Sequence, residues 1–184
     1  MRTRQVLNTF FLIGALLLVF NPLRAQDSVK VGDRPPDFTL PAATKDSIIA
    51  GGVHLADRIG RNNIVIGFFP AAWSGGCTKE FCTMRDNFGS LSDLGADVLA
   101  ISGDYVFSLH QWAMEQHFQF TLLSDHNHAV AKRYQSYNPQ SGFNRRTIYL
   151  VDREGKVAYI DRAYDPNSLA SFNKLKAELQ RLKK

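Results

Sequence analysis

The residues that could do chemistry in this 184-residue chain gather in one stretch, residues 68–86, FFPAAWSGGCTKEFCTMRD. An apolar run ends at Pro70, a turn of small residues follows, and Cys77 falls at or near the start of a segment of helical composition. Helix N-termini carry partial positive charge and unpaired N–H groups. Both stabilise a thiolate over a thiol, so Cys77 stands where a reactive cysteine belongs. The commoner fate of a lone cysteine is a buried structural thiol. Ser74-Gly75-Gly76 is too small and polar a neighbourhood to suit that fate.

Cys82 is the only other cysteine. A bridge between the two would close a loop too short to add much stability, which points to chemistry rather than stapling. If the segment is helical, the two Cα atoms stand roughly 8.6 Å apart. That exceeds the ~7 Å a disulfide tolerates. Bonding therefore requires the first turns to unwind, and Gly75-Gly76 lowers local stability where that must happen.

The elements that must hold this stretch alternate between strand and helix. Residues 63–69 (NIVIGFF), 97–102 (DVLAIS) and 120–123 predict buried strands, and residues 77–90, 107–116 and 127–134 predict helices. Residues 146–152 and 156–160 flank Arg153-Glu154-Gly155, a hairpin signal. Asp165-Pro166 predicts the start of a last helix, with Leu169, Phe172, Leu175, Leu179 and Leu182 on one face. The sum is an α/β domain with a mixed central β-sheet flanked by helices, of thioredoxin-like size.

Residues 1–25 read as an export signal. Arg2 and Arg4 precede an apolar run from Phe10 to Phe20, Asn21-Pro22 breaks it, and Ala25 offers a small residue before Gln26. The run is well short of the ~20 residues that span a bilayer. An uncleaved membrane anchor is the alternative. The expected organisation is thus a signal peptide over 1–25 and one domain over 26–184. Residues 26–184 carry 19 Lys and Arg against 17 Asp and Glu, a balance that leaves no electrostatic footprint for nucleic acid. None of the five histidines makes a zinc-spaced set with the cysteines, and His126-x-His128 beside Asp125 reads as a polar turn. There is no Cys-x-x-Cys and no Gly-rich phosphate or dinucleotide loop. Cofactor-free and metal-free thiol chemistry is the expectation.

Pro70-x-x-x-Ser74-x-x-Cys77 resembles the active-site signature of the peroxiredoxins, the AhpC/TSA family, which is Pro-x-x-x-Thr/Ser-x-x-Cys. The run CTKEFCTMRD is similar to the bacterioferritin-comigratory (PrxQ-like) and AhpE-like branches. The likeness continues through Val31-Gly32-Asp33, Pro36-Asp37-Phe38-Thr39-Leu40, Ile101-Ser102-Gly103-Asp104 with Trp112, and Leu122-Leu123-Ser124-Asp125. Arg146 stands six residues before Asp152, as the family's second active-site Arg does. The resemblance implies a thioredoxin-like (peroxiredoxin) fold and a thiol-dependent peroxidase acting on hydrogen peroxide or organic hydroperoxides. It also implies an external thiol reductant, either a thioredoxin-like protein or a small thiol, and a monomer or homodimer.

By that resemblance Cys77 is the peroxidatic nucleophile, which becomes a sulfenic acid. Arg146 holds the thiolate and donates to the peroxide oxygens. Ser74 orients the peroxide, Pro70 shields the site from water, and Glu80 helps fix the hydrogen bonds. Two readings of Cys82 stand: it resolves the sulfenic acid, or it packs beside Phe81 and Met84 in a one-cysteine enzyme. Arg145 neighbours Arg146; strand alternation allows one inward Arg, and the spacing to Asp152 favours Arg146. Arg85 is a further site candidate or an exposed helix arginine. Departures from the family pattern are Ser74 for Thr, Trp73 for Phe, Gln135 for Gly, and an unusual loop at 135–145. The rival reading is a non-peroxidatic thioredoxin-fold protein that senses redox state or binds a partner. A thiol–disulfide exchange enzyme is disfavoured by the Cys-x4-Cys spacing and by Arg146.

Overall fold

Strands that read as near-continuous apolar runs must be covered on both faces. In the computed structural model, which describes residues 28–183, they are. The expected signal segment and its Ala25–Gln26 boundary lie outside the described residues. The central strands are β3 (Asn63–Phe68), β4 (Ala96–Ser102), β5 (Thr121–Ser124) and β8 (Thr147–Val151). The rims are β1 (Thr39–Ala43), β2 (Ile48–His54) and β9 (Val157–Asp161). The seven strands lie in the order β2-β1-β5-β4-β3-β8-β9. β3, β4 and β5 pair in parallel, and every other pairing in the sheet is antiparallel. The sheet is therefore mixed, and the architecture is thioredoxin-like.

Period-two alternation divides the core. Val65, Val98, Ala100, Ile148 and Leu150 face one way, into a layer built by α1 (Gly75–Asp86), α3 (Val106–Gln116) and α5 (Leu169–Leu182). Phe81, Met84, Trp112, Phe172 and Leu175 are among the large side chains of that layer. Ile64, Ile66, Phe68, Leu99, Ile101 and Tyr149 face the other way, against Phe38, Leu55, Val130 and Tyr134. The chain thus places Cys77, on α1, in the first layer.

Five local features differ from what the sequence predicts. The helix expected over 77–90 begins at Gly75 and breaks at Asn87, whose side-chain amide donates to the Thr83 carbonyl; a separate short α2 (Phe88–Asp93) follows. The last helix starts at Leu169 with Ser168 as its cap, not at Asp165-Pro166. Asp165-Pro166 instead opens a turn: the Asp165 carboxylate accepts the Asn167 N–H and its carbonyl accepts the Ser168 N–H. Asp followed by Pro suits the first two positions of such a turn as well as it suits a helix start. The third is β2, which has Gly51-Gly52 at its centre and was not legible as a strand. The fourth is residues 135–145, where β6 (Tyr137–Asn138) pairs with β7 (Phe143–Asn144) in a small hairpin. Gln135, at the family's Gly position, has φ 55°, the left-handed region that Gly favours. α4 (Ala129–Arg133) is shorter at both ends than the expected 127–134.

Candidate active site

The loop carrying Ser74 and Cys77 is set by its neighbours in the sheet. β3 runs on until the Phe69 N–H donates to the Ile101 carbonyl at 3.0 Å. The Asp104 carboxylate then accepts the Ala72 N–H at 2.8 Å and the Ser102 hydroxyl at 2.7 Å. A Cβ on Gly103 would sit 2.4 Å from the His128 ring, so only glycine fits between Ser102 and Asp104. The Ile101-Ser102-Gly103-Asp104 match therefore has a physical basis: it ties down the loop that precedes Cys77. Trp73 closes the turn with φ 65°, exposed, its indole N–H donating to Ser108 Oγ at 3.1 Å.

Ser74 caps α1 by position but not by bonding. Its hydroxyl donates to the Ala71 carbonyl at 3.0 Å, and no side-chain cap bond forms. The first helical bond runs from Thr78 N–H to the Ser74 carbonyl at 2.9 Å. The N–H groups of Gly75, Gly76 and Cys77 are thus left without helical acceptors. They form a donor cluster at the positive end of the helix dipole, where an anionic sulfur or oxygen is stabilised. Gly75 and Gly76, expected just before the helix, are its first two residues.

Cys77 is fully buried, contrary to the argument that its polar flank would keep it out of the core. The flanking residues are polar, but the side chain turns inward among core side chains that include Phe69, Phe81 and Ile148. One polar group reaches it. Arg146, at the start of β8, points its Nη2 at Cys77 Sγ from 3.3 Å. Its Nε donates to Glu80 Oε2 at 3.2 Å. Arg145 is exposed, so strand alternation sends one of the two arginines inward. Arg146 also packs closely on the helix start: a Cβ on Gly76 would lie 2.7 Å from its Nη2.

Glu80 lies in the second helical turn, with its side chain buried. Burial pushes its carboxyl up to about 8, outweighing the opposite pull of Arg146. The contact has the geometry of an ion pair, but near neutral pH the acid is mostly protonated. The guanidinium charge is then not cancelled by Glu80 and stays available to the sulfur. Glu80 Oε1 is buried and has no hydrogen-bond partner.

Arg146 also lines an open cleft of about 620 Å³, together with Pro70, Gly76, Asn144, Arg162 and Tyr164 among others. Arg146 touches both the cleft and Cys77, so it joins the sulfur to solvent. Pro70 is half-buried at the cleft wall. Arg162 and Tyr164 follow β9 and carried no sequence signal; only the return of the chain past β8 brings them here.

Cys82 is separate from this cluster. It is half-buried, unbonded to Cys77, and its Sγ donates to Gln116 Oε1 at 3.5 Å. Arg85 is turned the same way, away from Cys77, with its Nη1 donating to the Gln116 carbonyl at 2.9 Å. His126 and His128 bond the Gly103 carbonyl and Asn144 Oδ1, consistent with a polar turn. Among the described residues no group of three or more His, Cys, Asp or Glu side chains could hold a metal ion.

The arrangement offers a buried sulfur, a guanidinium, and free N–H donors at a helix start. Comparison with known proteins gives it relatives. Residues 31–160 match the model of the AhpC/TSA family. Peroxiredoxin Bcp of Escherichia coli (strain K12) is 33% identical over 146 residues, covering 76% of this chain and 86% of that protein. The chloroplastic peroxiredoxin Q of Triticum aestivum is 35% identical over 133 residues, 72% of this chain and 58% of that protein. The crystal structure of peroxidoxin BcpB from Mycobacterium tuberculosis superposes with a TM-score of 0.73 at 28% identity, covering 84% of this chain and 98% of that one.

Proposed function

Because the chain belongs to the AhpC/TSA family and is a thiol peroxidase of the Bcp/PrxQ branch of the peroxiredoxins, we propose that Cys77 is the sulfur that attacks the peroxide. The observation that carries this reading is the 3.3 Å contact from Arg146 Nη2 to Cys77 Sγ, made by a side chain that also lines the cleft. A peroxide in the cleft meets the same guanidinium that holds the sulfur.

The Cys77 thiolate attacks one peroxide oxygen. An S–O bond forms and the O–O bond breaks. The departing hydroxide or alkoxide takes up a proton and leaves as water or alcohol, and the sulfur becomes a sulfenic acid. Charge moves from sulfur to the leaving oxygen, so donors fixed along that path lower the barrier. Arg146 and the N–H groups of Gly76 and Cys77 are those donors, and Ser74 Oγ keeps acceptor capacity beside them. Pro70 shields the reacting atoms from water. Glu80 fixes the orientation of Arg146. Hydrogen peroxide and organic hydroperoxides are the substrates.

Cys82 resolves the sulfenic acid to a disulfide, which an external thiol then reduces. The apolar run behind Arg2 and Arg4 supports export with cleavage at Ala25–Gln26. The reductant would then be a thiol available outside the cytoplasm, and the mass of the protein recovered from its cells tests that boundary. The reading of Cys77 is tested by intact mass a fraction of a second after one equivalent of hydrogen peroxide. Fast gain of one oxygen, or fast loss of two hydrogens, is expected. An unchanged mass on that timescale would overturn it.

A further inference from the structure

We infer that Arg85 and Gln116 form a latch that sets how fast Cys82 is released to reach the oxidised Cys77. The inference rests on the reading of Cys82 as the resolving cysteine. The step itself is balanced by the peroxide already consumed. The Cys82 sulfur attacks the Cys77 sulfenic sulfur, an S–S bond forms, the S–O bond breaks, and the hydroxyl leaves as water with the Cys82 proton.

That attack cannot happen within an intact α1. Both cysteines lie inside Gly75–Asp86, five residues apart on one continuous helix. Their Cα atoms are then roughly 8.6 Å apart, further than a disulfide spans. The first turns, which run from Gly75 through Cys82, must open, and how fast the Cys82 side gives way depends on what holds it. Two polar contacts do, and both end on one residue of α3. Cys82 Sγ donates to the Gln116 side-chain oxygen at 3.5 Å, and Arg85 Nη1 donates to the Gln116 main-chain carbonyl at 2.9 Å. Gln116 is the last residue of α3, so its carbonyl is one of those a helix leaves without an internal partner. A guanidinium there satisfies the carbonyl and complements the negative end of the helix dipole.

The latch is placed to act on the second step alone. Arg85 and Gln116 form no hydrogen bond with Cys77, Arg146 or Glu80, and neither lines the cleft. Loosening them should therefore free Cys82 without altering how Cys77 meets peroxide. A charge-assisted hydrogen bond carries about a tenfold factor in such an equilibrium.

Rapid-quench intact mass on the purified protein tests this. In the wild-type protein one equivalent of hydrogen peroxide adds one oxygen and then removes it as the disulfide forms, for a net loss of two hydrogens. Arg85→Met should speed the second phase about tenfold and leave the first unchanged, with Arg85→Lys between the two. The peroxide concentration needed to over-oxidise Cys77 to the sulfinic acid should rise in parallel. A merely structural role for Arg85 would not separate the two phases in this way. Gln116→Leu keeps the carbonyl and removes the side-chain contacts to Cys82 and to the exposed Glu115; it should give a smaller acceleration, and it serves if Arg85→Met does not fold. Unchanged disulfide rates in the variants that fold would overturn the latch. A wild-type protein that gains one oxygen and never loses two hydrogens would instead overturn Cys82 as resolver, and the latch with it.

Discussion

Cys77 and Cys82 share one helix and almost nothing else. Cys77 lies at the helix start, with no exposure, three N–H donors nearby, and a guanidinium 3.3 Å from its sulfur. Cys82 lies a turn and a half further on, half-buried, with a neutral amide oxygen as its polar contact. Burial alone would make Cys77 the more inert thiol. What reverses the expectation is where the charges end: Arg146 leads from the cleft to Cys77, whereas Arg85 turns to a main-chain carbonyl of α3. On the proposed reading of Cys77 as the attacking sulfur, reactivity follows the placement of donors rather than exposure.

The largest effects should come from erasing one side of this contrast. Cys77→Ser should remove peroxidase turnover by at least about a thousandfold, measured as peroxide consumption with a dithiol reductant. Cys82→Ser should leave the first oxidation intact and remove only the loss of two hydrogens in the intact mass. Equal damage from both substitutions would break the comparison. Arg146→Met should slow the first oxidation by roughly 10²–10³-fold, the usual cost of a donor aimed at developing charge. Arg146→Lys should recover only part of this, because an ammonium cannot serve Glu80 and Cys77 together as a planar fork does.

Much of this contrast was legible before the fold was known. A strand and then a small-residue turn placed Cys77 at a helix start, and the five-residue spacing kept Cys82 out of its reach on an intact helix. Strand alternation allowed one inward arginine, and the family's spacing to Asp152 favoured Arg146 over Arg145. Other features were out of reach because they depend on contacts distant in sequence. Burial of Cys77 depends on a core layer it shares with Phe69 and with Ile148 of β8, which no local polarity reveals. Arg162 and Tyr164 enter the cleft only because β9 pairs beside β8. Gln116 contacts Cys82 across 34 positions. The Asp165-Pro166 error has another source, since the same two residues favour a turn and a helix start.

A smaller and sharper change tests whether the distance from Arg146 matters. Gly76→Ala would place a Cβ 2.7 Å from Arg146 Nη2, the far end of a flexible side chain, so the guanidinium would shift while the backbone stays. Alanine is a better helix residue than glycine by ~0.5–1 kcal/mol. Stability and chemistry should therefore part company. The melting temperature holds or rises, while the first oxidation slows by about tenfold, in line with the cost of sub-ångström to ångström misplacement. A variant that is both more stable and equally fast would show that the contact does not set the rate.

The smallest effect concerns how Arg146's charge is kept for the sulfur. Burial raises the Glu80 carboxyl from an ordinary value near 4.5 to about 8. Between those values the folded protein holds a proton that the unfolded chain has released. Its stability must then fall as pH rises through that window, by up to about 1.4 kcal/mol per pH unit. Glu80→Gln carries a permanently neutral amide in the same place and has no proton to lose. Its urea midpoint should therefore decline less steeply than the wild-type midpoint from pH 5 to 8, with first-oxidation rates at pH 7 close to wild type. Had the pull of Arg146 won over burial, the sign would reverse. Glu80 would be anionic in the fold, its stabilisation would be lost as pH falls below about 4.5, and Glu80→Gln would flatten the acid limb instead. Which limb flattens thus decides whether Arg146 faces Cys77 with its charge intact or already neutralised.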